Sequence, residues 1–251
     1  MTNLVSTERS GRILVVRMCR ENKRNAIDRA LADELDQAFA LLDDDTELWA
    51  GVLTGSGGVF SAGSDLTSGG DYWTERGGEY GLIRRRRKKP LIAAVEGPAL
   101  GGGFELVLAC DLVVASRTAR FGLPEVQRGL VPTCAGLFRG PRALPVNIAR
   151  ELVLTGDPID ADRAYATGLA NRVTDPGKAV AEAVALGERI CVNAPVAVQA
   201  GLTAINHHLA ATDALGWQLT DDAKAAIAAT ADHREGLAAF LEKRLPRWTG
   251  R

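Results

Sequence analysis

Between Ile13 and Ala115 the chain alternates short apolar runs with stretches of helical periodicity. Leu4–Glu8 and Ile13–Arg17 read as two strands joined by a turn at Ser10-Gly11. Asp28 is placed to cap a helix whose apolar positions are Leu31, Leu35, Phe39 and Leu42. Trp49–Thr54, Leu91–Val95 and Leu112–Ala115 read as buried strands, and Leu100 to Ala109 opens on three glycines and becomes an apolar helix. This order predicts an α/β fold with much parallel pairing. From about Pro195 onward the pattern is helical and Ala-rich, without strand signals.

Composition excludes several classes. Lys+Arg is 30 against Asp+Glu 31, a net charge of -1 that argues against a nucleic-acid binder. No apolar run is long enough to span a membrane, and Met1 to Gly11 lacks the apolar centre of a secretory signal, so a cytoplasmic protein is expected. Four scattered cysteines read as reduced thiols. His207, His208 and His233 have no metal-ligand spacing, so no metal is expected. The departure is glycine: 27 of 251 residues, about 11% against a usual 7%.

Two of the glycine clusters share a physical possibility. Ala62-Gly63-Ser64-Asp65 follows a strand, and Gly101-Gly102-Gly103 lies between a strand and the first turn of a helix. Helix starts carry unpaired N–H groups and a positive dipole end, and glycine lets a ligand oxygen approach them. One donor from each loop on one oxygen would make an oxyanion hole. On the glycines alone, helix–strand packing is the reading to favour. Walker-type, dinucleotide-binding and nucleophile-elbow patterns are absent from the sequence.

Glu105 lies inside the apolar helix, and Glu125 follows Pro124 at the start of a short helix. Taken singly, each reads as a first-turn acid favoured by the helix dipole. Taken with two donor loops, they suggest a pair of acids beside a stabilised oxygen, an arrangement suited to proton transfer next to a carbonyl. The run Arg84 to Lys89 reads first as a solvated helix end before Pro90, and second as part of a site for a phosphorylated ligand.

Several blocks in order resemble the enoyl-CoA hydratase/isomerase, or crotonase, family over nearly the whole chain. They are Asn22-Lys23-Arg24-Asn25-Ala26, Phe60 to Leu66, Lys89 to Gly97 continuing through Gly101–Glu105 to Asp111, Phe121 to Glu125, Gly129 to Pro132, and Glu235 to Arg244. The resemblance implies a spiral core of ββα repeats over residues 1–192 and a helical trimerisation region over 193–251. It implies a homotrimer or a dimer of trimers, an acyl-CoA thioester as substrate, and no separate cofactor, since coenzyme A is part of that substrate.

By the same resemblance, Ser64 and Gly102 fall on the oxyanion-hole positions. Glu105 and Glu125 fall on both catalytic positions of the hydratases, which makes the chain a hydro-lyase of lipid metabolism that adds water across a 2-enoyl-CoA double bond. Ala62, Ser64, Asp65, Leu66 and Thr67 would lie along the acyl-CoA together with Gly102. Phe240 and Lys243 would contact the CoA of a neighbouring subunit, and Lys23 would lie near its phosphates. Alternatives are a carnitinyl-CoA-type dehydratase, an enoyl-CoA isomerase, or a non-catalytic acyl-CoA binding protein. Phe104, Leu123-Pro124-Glu125 and the ending Pro246 to Arg251 resemble carnitinyl-CoA dehydratases. Thr67 to Arg84, with Tyr72 and Trp73, does not match short-chain hydratases and is expected to shape the acyl pocket.

Overall fold

The computed structural model describes residues 3–70 and 72–251; positions 1, 2 and 71 of the segments read above lie outside it. In chain order the strands are β1 (Val5–Ser10), β2 (Ile13–Met18), β3 (Ala50–Gly55), β4 (Trp73–Thr74), β5 (Gly78–Glu79), β6 (Leu91–Val95), β7 (Pro98–Leu100), β8 (Leu112–Ser116), β9 (Arg120–Gly122), β10 (Ile159–Asp160) and β11 (Arg172–Thr174). The helices are α1 (Arg29–Asp44), α2 (Gly102–Leu108), α3 (Gly136–Ala143), α4 (Val146–Thr155), α5 (Ala161–Ala166), α6 (Ala179–Cys191), α7 (Pro195–Ala210), α8 (Asp213–Ala228) and α9 (Ala231–Leu241).

The main sheet runs β1-β2-β3-β6-β8-β11. Only β1 and β2 pair antiparallel; the rest of this sheet is parallel. Such a sheet must be covered on both faces, and the period of two along each strand divides the side chains between two cores. Leu14, Val16, Leu53, Ala93 and Val95 join the α1 side with Leu31, Leu35, Phe39 and Leu42. Ile13, Val15, Val52, Ile92, Ala94 and Val114 face Ala179 and Ala183 of α6. Gly187 permits that second closure, since a Cβ there would stand 2.8 Å from Ile13 Cδ1.

A second, smaller sheet, β10-β9-β7, positions the site. The chain passes from β6 in the large sheet to β7 in the small one and then into α2. It repeats the move from β8 to β9 and on to a 3-10 turn, Pro124–Arg128. Each ββ step therefore delivers the N-terminus of a helical element to the same end of the molecule. Gly97 is the pivot between the sheets: its φ is +61° and Pro98 begins β7.

The Arg84–Lys89 run corrects the sequence reading. It is not helical, and alternate residues turn inward. The Arg85 guanidinium reaches Asp36 and, at 2.7 Å, Asp43 of α1. Arg87 pairs with Asp111 at 2.8 Å, and Lys89 Nζ donates to the carbonyls of Leu42 and Asp45. These cations tie the loop to α1 and β8, because a buried charge survives only when paired or hydrogen-bonded; Arg86 and Lys88 point to solvent.

After α6 the chain is helical, as the sequence pattern predicts. α8 packs on α3, and α9 packs on the Pro124–Arg128 turn. α7 buries none of its residues, and Val196, Ile205, Leu209, Leu215 and Leu219 of α7 and α8 are exposed.

Candidate active site

The first glycine loop is clasped from both sides. Ile27 N–H donates to Gly63 O at 2.8 Å, and Asp65 N–H donates to Ile27 O at 2.8 Å. On the other side Ser61 bridges to Ala99 of β7. The clasp itself is locked by Asn25, fully buried, whose side-chain amide donates to Ser56 O and Val59 O. Lys23, exposed at the end of a single 3-10 turn, leads into this clasp, and Arg24 O accepts from Ala62 N–H.

The second loop is pressed against the first. Gly63 has φ +93°, and a Cβ there would stand 2.8 Å from Leu100 O and 3.0 Å from Gly102 N. A Cβ on Gly103 would stand 2.4 Å from Ser61 O. Glycine is therefore a requirement of close approach, and that approach sets Gly102 N beside the Gly63-Ser64 peptide. Gly102 is the first residue of α2, so its N–H has no intrahelical partner. The close packing bears out the helix-packing reading of these glycines, and it leaves the Gly102 N–H without an intrahelical partner.

Glu105 and Glu125 come to this point from different elements. Glu105 is 2% exposed, and its Oε1 accepts N–H bonds from Cys134 at 2.7 Å and Gly136 at 2.8 Å. Ala135, between those donors, takes the left-handed conformation at φ +81°. That turns two amides toward one oxygen, as in an anion-binding nest. Burial pushes the Glu105 carboxyl up to about 7 even though both amides favour the charged form.

Glu125 sits in the first turn after Pro124. Its Oε2 is closed off from solvent and has no hydrogen-bond partner, while Oε1 lies 3.1 Å from where a Gly101 Cβ would be. Burial, and then the charge of Glu105, push this carboxyl up to about 8. The two acids thus differ: Glu105 Oε1 holds two amide donors, while Glu125 Oε2 holds none.

Other residues expected at the site have mixed placements. Asp65 is buried, and its carboxylate is already taken by Arg20 at 2.8 Å and by Thr67 N–H and Oγ1. These bonds overcome burial and hold it down at about 2; its side chain braces the loop. Phe240 lies under the Arg128 guanidinium at 4.8 Å, on the C-terminal end of α9, and Lys243 follows it, exposed. Phe240 thus rests on the far end of the segment that carries Glu125. Among the described residues no cluster of three His, Cys, Asp or Glu is arranged to hold a metal.

Two features escape a sequence reading. Tyr80 is buried with its hydroxyl 2.6 Å from Ser64 Oγ; its one signal in the sequence is an aromatic set between Gly77-Gly78 and Gly81. A cavity of about 430 Å³ also opens between α2, α3 and α4, lined by Phe104, Leu123, Gly136, Leu137, Leu144 and other, mainly apolar, residues. Gly136 borders both this cavity and Glu105.

The enoyl-CoA hydratase/isomerase family model matches residues 8–251. Mevalonyl-coenzyme A hydratase sidH of Aspergillus fumigatus is 38% identical over 246 residues, covering 94% of this chain and 91% of its own. The short-chain-enoyl-CoA hydratase of Clostridium acetobutylicum is 34% identical over 250 residues, covering 96% of each. Among solved structures, a carnitinyl-CoA hydratase from Mycobacterium avium superposes with a TM-score of 0.94 at 39% identity and full coverage of both chains.

Proposed function

This chain belongs to the enoyl-CoA hydratase/isomerase family, and on that premise we propose that it is an enoyl-CoA hydratase, a hydro-lyase acting on 2-enoyl-CoA thioesters. The observation that carries the reading is the pair of buried, amide-stabilised Glu105 and half-buried Glu125, whose Oε2 is closed off and unpartnered, beside the facing loops of Ser64 and Gly102.

In this reading the thioester oxygen accepts the N–H groups of Ser64 and Gly102. Negative charge develops there as water attacks, so fixed donors lower the barrier. Ionised Glu105 accepts a proton from the water as its oxygen bonds to the β-carbon. The π electrons move toward the α-carbon and the thioester oxygen. Glu125, held protonated by burial, gives its proton to the α-carbon. Dehydration of a 3-hydroxyacyl-CoA is the same path reversed.

Coenzyme A enters as part of the substrate, with no further cofactor or metal. Ala62, Leu66 and Thr67 of the first loop run along the acyl-CoA; Asp65 holds that loop. Lys23 is the near cation for the phosphates, and Phe240 and Lys243 serve the CoA of a neighbouring subunit. Residues 193–251 form the assembly region of a trimer or a dimer of trimers, a reading supported by the exposed apolar residues of α7 and α8. Sedimentation at micromolar concentration would return a monomer if this were wrong. The four unpaired cysteines support a reducing, cytoplasmic setting.

A carnitinyl-CoA-type dehydratase is the second reading, favoured by the resemblance to the Mycobacterium avium carnitinyl-CoA hydratase. Turnover of crotonyl-CoA, a 3-enoyl-CoA and carnitinyl-CoA by the purified protein separates hydratase, isomerase and dehydratase. Tight CoA-ester binding without turnover of any of them would point to a carrier instead.

A further inference from the structure

The hydroxyl of Tyr80 touches both residues whose amides face the thioester oxygen. It shares a 2.6 Å hydrogen bond with Ser64 Oγ. It also rests on the Gly102 Cα, where a Cβ would stand only 2.3 Å from the phenol oxygen. The ring is 1% exposed and packs on Tyr72, centroid to centroid 4.6 Å. Burial keeps the phenol protonated, well above its ordinary range.

The backbone around Tyr80 is built to put it there. Its φ of +58° is left-handed, which a bulky residue rarely adopts; strain of this kind persists where the surroundings enforce it. Tyr80 N–H donates to Tyr72 O at 3.0 Å. Next to it, Gly81 lies so close to α1 that a Cβ would stand 2.6 Å from Asp36 N. Thr74 Oγ1 and the Arg85 guanidinium both bond Asp36, fastening the β4–β5 hairpin and the chain after it to the same helix.

We propose that Tyr80 is a positioning residue of the oxyanion hole, its single hydroxyl fixing the separation and direction of the Ser64 and Gly102 amides. The proposal rests on the assignment of those two amides as the donors to the thioester. Its physical basis is that catalysis by preorganised donors depends on sub-ångström placement, and small displacements are costly. Loss of the phenol oxygen leaves space against both loops at once.

Tyr80→Phe keeps the ring and removes only that oxygen. In crotonyl-CoA hydration its kcat is expected to fall about tenfold with KM within twofold. Ser64→Ala should give a similar loss, and the double variant should be no slower than the worse single one, because both remove the same bond. A readout independent of turnover is the thioester carbonyl stretch of bound butyryl-CoA. The wild type should shift it to lower frequency, and Tyr80→Phe should return part of that shift. An unchanged shift and kcat in Tyr80→Phe, or losses that multiply in the double variant, would overturn the role of Tyr80 while leaving the oxyanion hole in place. No shift in the wild type would remove the hole itself and the proposal with it. Should Tyr80→Phe fail to fold, the carbonyl shift in Ser64→Ala decides, an unchanged value overturning the proposal.

Discussion

The Gly136 amide hydrogen bonds Glu105 Oε1 at 2.8 Å, and a Cβ on Gly136 would stand 2.9 Å from that same oxygen. The donor that steadies the carboxylate is thus also the position at which a side chain would displace it. Gly136→Ala is expected to leave the fold intact and lower kcat at least tenfold, since a shifted base loses its line to water. Steady-state kinetics alongside a thermal melt check this. A variant with wild-type kcat would mean that Glu105 does not need its present placement.

Loss of either acid should be severe. Glu105→Gln and Glu125→Gln are each expected to cost roughly 10²–10⁴-fold in kcat, the usual range for a general acid or base. Single-turnover hydration of crotonyl-CoA measures it directly. Retention of full rate by either variant removes that residue from the mechanism.

The same acids set the pH dependence. The pair must carry one proton, on Glu125 and not on Glu105. With Glu105 raised to about 7 and Glu125 to about 8, kcat/KM should climb as the first proton leaves near pH 7. It should decline as the second leaves near pH 8, giving a bell for the pair as a unit. A profile flat from pH 5 to 10 would contradict this.

The substitution at Glu125 that removes activity should raise stability at high pH. Its folded carboxyl titrates above the unfolded value, so the folded state binds more protons than the unfolded one and is destabilised as pH rises between the two. Each pK unit of displacement corresponds to about 1.4 kcal/mol. Glu125→Gln removes that penalty. It is expected to melt higher than wild type at pH 9 and to lose most of this advantage at pH 4.5. Equal melting differences at both pH values would show that Glu125 ionises as easily folded as unfolded.

The basic run offers a contrast between neighbours. Arg85→Ala removes the buried guanidinium shared by Asp36 and Asp43, leaving them Thr74 Oγ1 and the more distant Arg76, and should destabilise by about 3 kcal/mol, as breaking a buried pair does. Arg86→Gln, at an exposed position, should change stability by no more than about 0.5 kcal/mol. Denaturant melts distinguish the two. Equal effects would restore the solvated reading of the run.

How much of this is legible in the sequence follows from range. Asp28 could be read as a cap because its target, Leu31 N–H, is three residues away, and the bond forms at 2.9 Å. The alternation of strands and helices and the helical C-terminal stretch are likewise written in local periodicity, whereas the short strands β7 and β9 are not. The run Arg84–Lys89 was opaque because nothing local announces its partners: Asp36 and Asp43 lie more than 40 residues before Arg85. The ion pair of Asp65 is hidden for the same reason, its partner Arg20 being 45 positions away.

By itself, then, the sequence determined the alternation of strands and helices, the glycines that two loops require for close approach, and the two acids. Hydrophobic period, backbone freedom and side-chain chemistry are properties of neighbours along a chain. Only the tertiary structure decided that Gly63 meets Gly102, that Cys134 and Gly136 amides hold Glu105 while Glu125 Oε2 stays unpartnered, and that Tyr80 reaches both donor loops. Those facts depend on burial and on hydrogen bonds between elements brought together by the two sheets. Burial raises both carboxyls, while the amides on Glu105 and the charge of Glu105 beside Glu125 set the two apart.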